Sequence, residues 1–281
     1  VVLGYVVMRV ALLSQWLRAA RQDPARRSAC LTYVIAVSIA QIGWIAQILV
    51  DFSLPVSLAL GIVLLLIELA GPMIAERREG GTPWHPHHIA ERYSLFAIIA
   101  LGEGVVGTVA TLSAAVEEEG WSMDAALVAI AGIGLTFGIW WVYYMLPSGR
   151  VLHAHRERSF VWGYGQMVTI AAIVAIGAGL HVAAYFIEHK ARIGALATVL
   201  CLAVPVGIFL VSIYALYYYL VRRFDPFHIW LLIATVIVVA LAVVAALAGL
   251  DMAVCLIILT LAPAVTVVGY EVHGHRHQAE A

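Results

Sequence analysis

Apolar residues run along this chain in blocks of about twenty, each closed by a short stretch that holds Pro, Gly or a cluster of charges. A helix needs about 20 mostly apolar residues to cross a bilayer, and nine blocks approach or meet that length, at about 1–17, 29–50, 55–75, 89–115, 124–146, 160–186, 194–220, 228–250 and 252–270. Short connections predict antiparallel neighbours. The expected fold is all-α, a polytopic transmembrane helical bundle of about nine spans. It forms a single domain over 1–270, followed by a short cytoplasmic His-containing tail at 271–281. The chain opens Val1-Val-Leu-Gly4 inside an apolar run, with no basic n-region or cleavage site, and so is expected to be N-terminally truncated.

Two carboxylates interrupt this pattern. Glu103 lies deep in the fourth block between Gly102 and Gly104, and Glu68 lies late in the third, ahead of Gly71-Pro72. An ionisable group near the bilayer centre costs about 2.5 to 3.5 kcal/mol on insertion scales, which makes each a functional candidate. At 100° per residue, His88, Arg92, Phe96, Ile99 and Glu103 fall on one stripe of a helix, with Arg92 and Glu103 about 16 Å apart along the axis. That is too far for an ion pair. The stripe reads as a polar entrance leading to a buried acid, while the plainer alternative is a protonated Glu103 bonded to a neighbouring helix. Glu68 is equally well read as snorkelling towards Glu76 and Arg77. Arg9, Gln15, Gln41, Gln47, Tyr164, Gln166 and His181 are the other polar groups in or near spans, open to satisfaction across helices.

Composition sharpens the membrane reading: 63% of residues are hydrophobic and 12% charged, about half the charged share of a soluble domain. The net charge of -1 excludes a broadly basic nucleic-acid surface. Its distribution is uneven. Arg18, Arg21, Arg26, Arg27, Arg77, Arg78, Arg92, Arg150, Arg156, Arg158, Arg222, Arg223 and Arg276 fall on alternate connections and the tail, leaving only Arg9, Lys190 and Arg192 of the 16 basic residues. Short cytoplasmic loops retain positive charge, so the alternation predicts nine spans and a cytoplasmic C-terminus.

His85, His87, His88 and Glu91 offer four donors for zinc or another transition metal within seven residues, although the same run makes sense as a helix start at the interface. No other cofactor is indicated. Cys30, Cys201 and Cys255 are widely separated and read as packing residues. No hydrolase, metalloprotease or phosphate-loop motif occurs, so an enzyme is not expected.

The run His88-Ile-Ala-Glu-Arg-Tyr-Ser-Leu-Phe-Ala-Ile-Ile-Ala-Leu-Gly-Glu103 resembles the bacterial low temperature requirement protein A (LtrA) family. Gly4-Tyr-Val-Val-Met-Arg9, Gln15-Trp-Leu-Arg18, Gly81-Thr-Pro-Trp-His-Pro-His-His88 and Phe160-Val-Trp-Gly-Tyr-Gly165 extend the resemblance over nearly all of the chain. It implies a multi-pass bacterial inner-membrane protein, whose relatives usually begin with further spans. Three roles follow as expectations. In the first, the bundle transports a proton, ion or small solute, with Glu103 as coupling carboxylate, His88, Glu91 and Arg92 at the mouth, and Glu68 as a second polar group. The second is a non-transporting scaffold or cold-stress sensor, and the third is metal handling. The expected partners are the lipid bilayer and a small ion or solute.

Overall fold

A computed structural model describes residues 2–78, 81–146, 148–222 and 226–274. No strand occurs among them. The helices are α1 (Val2–Gln22), α2 (Arg27–Leu49), α3 (Leu54–Glu76), α4 (Pro86–Glu119), α5 (Met123–Tyr144), α6 (Ser148–Ala154), α7 (Ser159–Ile187), α8 (Ala195–Val221), α9 (Pro226–Leu247) and α10 (Met252–Gly269). The expected all-α membrane bundle is what the chain forms. The long helices coincide with the nine apolar blocks. Among the described residues, eight are long and apolar enough to cross a membrane, and α1 is not one of them. Arg9, Arg18 and Arg21 dilute its apolar run. The short α6 lies in a stretch expected to be a loop, and the tail from residue 275 onward lies outside the described residues.

Local chemistry sets several helix ends. Pro55 and Pro86 occupy the first turns of α3 and α4, where a missing N–H costs nothing. Ser122 caps α5 by accepting from the Ala125 N–H at 3.2 Å. Gly120, at φ +74°, closes α4 in a conformation that side chains disfavour.

The chain divides into two compact units, Val1–Trp84 and His85–Ala281. In the first, α2 packs against α1 and α3. Trp16 stacks on Tyr33 at 4.2 Å, and Gly71 and Gly43 of α3 and α2 lie against Ala36 and Leu64 respectively. These contacts set an antiparallel register in which Arg9, Ala40 and Glu68 share one level. Towards one end, Glu76 accepts from Tyr33 Oη at 2.9 Å and from the Thr82 N–H at 2.9 Å, as well as from the Thr82 hydroxyl.

In the second unit, six long helices form a closed ring in the order α4, α7, α8, α9, α10, α5, each packed on the next. The centre of the ring is filled by side chains, among them Leu135, Ile139, Ile173, Ile176, Leu202 and Phe209. Lipid supplies no hydrophobic drive between spans, so close approach and interhelical hydrogen bonds hold such a ring together. Gly132 lies against Thr108, and Thr260 donates to the Ala131 carbonyl at 2.9 Å. Pro205 leaves the Cys201 carbonyl without its helical donor, and Gly179 of α7 packs directly on that oxygen. Arg158 donates to the Leu220 carbonyl at the end of α8, a favourable place for a cation. Cys30 and Cys255 are buried, as packing residues should be, whereas Cys201 is exposed.

Candidate functional site

Glu103 lies near the middle of α4 and faces α7. Gly177 permits this approach. A methyl group there would lie 2.6 Å from Glu103 Cγ and 2.7 Å from its carbonyl carbon. His181 stands one turn further along α7 on the same face, and because helical side chains lean towards the N-terminus its ring reaches back over Gly177. His181 Nε2 comes to 3.4 Å from Glu103 Oε1, with the side chains 32% and 44% exposed respectively. Two turns beyond Glu103, Thr111 donates to the Leu180 carbonyl at 2.8 Å and to Gly107 at 2.7 Å, locking the seam. A carboxylate and an imidazole in this arrangement can hold or pass a proton between them.

The stripe expected along α4 exists as a face, but it does not line an enclosed path within this unit. Arg92, Phe96 and Ile99 are all exposed. Helical arithmetic decides which residues share a face; it does not decide what covers them.

Glu68 has different company from that expected. It accepts from Tyr5 Oη at 2.7 Å and pairs with Arg9 at 3.3 Å, while Arg9 also donates to the Tyr5 hydroxyl. The Arg9 and Glu68 side chains are only 20% and 16% exposed. Snorkelling towards Glu76 is therefore not its arrangement: Glu76 is occupied by Tyr33 and Thr82. Pro72, four residues on, leaves the Glu68 carbonyl without its helical donor, adding a polar group to the same level. Gln41, expected to be satisfied across helices, is buried with neither amide atom hydrogen-bonded among the described residues. The same holds for Trp44 Nε1, Gln47 Nε2 and, in the other unit, Gln166 Oε1.

At the start of α4 the histidines gather. The rings of His85 and His87 lie 5.5 Å apart, those of His85 and His88 5.2 Å, and that of His153 on α6 is 5.6 Å from His87. His88 Nδ1 is 3.6 Å from Glu91. Partial desolvation, then the neighbouring His87, His88, His153 and Arg156, push the His85 imidazole below its usual range. Proximity does not produce a donor set: among the described residues, no group of three or more His, Cys, Asp or Glu side chains is arranged to hold a metal ion.

Sequence reasoning named Glu103, Glu68, Arg9 and His181 but missed both pairings. It did not single out Tyr5 or His153. The available signal was composition around each group. His181 follows Gly177-Ala-Gly179, so both members of its pair sit on glycine-lined helix faces. Arg9, in an otherwise apolar stretch, needed a carboxylate at matching depth.

The family model described as bacterial low temperature requirement A protein (LtrA) matches residues 1–263. No curated protein and no solved structure matches the chain.

Proposed function

Since the chain belongs to the bacterial low temperature requirement A protein family, we propose that this multi-pass membrane protein moves a proton with a small ion or solute across the bacterial inner membrane, using Glu103 and His181 as the proton-carrying pair. The observation that carries this reading is the 3.4 Å approach of two titratable side chains, both partly exposed, within long apolar helices, Glu103 near the middle of α4 and His181 six residues before the end of α7. Filling that position with apolar groups would avoid the insertion penalty of ionisable residues. The positive-charge alternation supports a cytoplasmic C-terminus and puts His88, Glu91 and Arg92 at the cytoplasmic mouth. Glu68, tied to Arg9, acts as a fixed polar anchor.

Proteoliposomes loaded with a pH-sensitive dye test this directly. Proton flux should be lost in both Glu103→Gln and Glu103→Ala, and wild-type flux in both variants removes the proposal.

A second reading is favoured by one observation, the packed centre of the ring. In a non-transporting scaffold, the Glu103–His181 contact is a clasp between α4 and α7. That reading predicts that Glu103→Gln retains stability and phenotype, while Glu103→Leu loses stability.

A further inference from the structure

A groove of about 540 Å³ runs along α8 between α7 and α9. Leu200 and Val243, at one end of it, lie five residues after the start of α8 and four before the end of α9, so the groove opens near one face of the membrane. Val168 and Ser212, at the other end, lie nine residues inside α7 and α8, so it stops within the spans. From Leu200 to Ser212 a helix rises about 18 Å, a little more than half of a hydrocarbon core of about 30 Å. We propose that this groove holds one acyl chain of a membrane lipid along its length, with the headgroup at the Leu200 end.

The spacing of residues in α8 builds the concavity. Leu200, Val204, Ile208 and Val211 recur at helical intervals on one exposed face. Gly207 interrupts them, and a methyl group added there would meet nothing within 4 Å, so open space reaches down to the helix backbone. All three helices are long and apolar enough to cross a membrane, which makes hydrocarbon the medium over the groove. A concave wall with nothing against it forfeits dispersion contacts, and only an occupant that follows its shape restores them.

Two observations select a hydrocarbon chain as that occupant. The one polar side chain in the lining, Ser212, donates to the Phe209 carbonyl at 2.7 Å and shares a hydrogen bond with Thr169 at 2.9 Å, so no group there calls for a polar ligand. A volume of about 540 Å³ over about 18 Å also gives an average section of about 30 Å², less than half that of a helix about 10 Å wide. Helices in membranes associate through small residues and interhelical hydrogen bonds, whereas this face offers bulky aliphatic side chains. The groove shares no residue with the Glu103–His181 pair, and its occupancy stands independently of transport.

The test uses the full chain in phosphatidylcholine nanodiscs that contain a small share of phosphatidylcholine with a diazirine midway along one acyl chain. After irradiation and digestion, mass spectrometry reads which residues carry the lipid adduct. Labelling of the groove should exceed that of the exposed α5 face at Ile130, Ile133 and Phe137 about fivefold, the preference that about 1 kcal/mol of added packing gives. Gly207→Leu fills the open space and should bring the groove down to the α5 level, with Gly207→Ala falling between. Both variants replace glycine by a better helix former, so α8 keeps its fold, and labelling of α5 should not change. Equal labelling of the two faces in the wild type, or groove labelling unchanged in Gly207→Leu, overturns the proposal. Groove labelling below the α5 level overturns it as well, because protein rather than lipid would then cover this face.

Discussion

The two carboxylates in the apolar helices are neutralised in opposite ways. Glu68 meets an arginine, which keeps its charge at any pH a cell encounters, and a tyrosine that completes its hydrogen bonding. Glu103 meets a histidine, the side-chain class whose charge changes near neutrality, in a more open setting. The first pair ties α1 to α3 at one level. The second joins α4 to α7 through side chains that are 44% and 32% exposed. A carboxylate inside a membrane span is thus informative only together with its partner: the arginine ties Glu68 into an ion pair, and the histidine beside Glu103 is what the proposed proton movement rests on.

The largest expected effect comes from breaking the anchor. Arg9→Leu leaves Glu68 unpaired, and the first unit should lose about 3 kcal/mol, as when one partner of a buried ion pair is removed. The double variant Arg9→Leu/Glu68→Leu should recover most of that loss in reversible unfolding by detergent. An uncorrected loss in the double variant would break the comparison, because the pair would then not be the cause.

Next comes the seam under Glu103. Gly177→Ala forces a methyl group onto Glu103 Cγ and backbone, and overpacking of this kind costs about 2 kcal/mol. The same unfolding measurement reads it. Thr111→Val, which deletes the hydrogen bond between α4 and α7, should cost about 0.6 kcal/mol, typical of interhelical bonds in membranes. Smallest of all is the effect of Glu103→Gln on stability, within about 0.5 kcal/mol, because a partly exposed pair contributes little to folding. A larger loss would make Glu103 an anchor like Glu68 and erase the distinction.

Much of the architecture was legible in the sequence because membrane spans are written as long apolar runs separated by short polar connections. Only α1 fell short, diluted by its own arginines, and α6 escaped notice because a seven-residue helix leaves no periodic signal. The Glu103 position was legible for the same reason that a charge in an apolar run stands out. Its partner was not. His181 is 78 positions away, and nothing local says that α4 and α7 pack side by side with α5 and α6 between them in sequence. Glu68 misled for a related reason: Glu76 and Arg77 are near it in sequence, while Arg9 is near it only in the fold. Periodicity assigns a residue to a face, and only tertiary packing assigns it a neighbour.

The most direct test of the account is proton flux into proteoliposomes under an imposed membrane potential, measured for wild type, Glu103→Gln, His181→Gln and Glu68→Gln at matched folded fraction. Flux should be present in wild type and Glu68→Gln and absent in Glu103→Gln and His181→Gln. Wild-type flux in both variants of the Glu103–His181 pair, or its loss in Glu68→Gln alone, would contradict the assignment of proton movement to that pair.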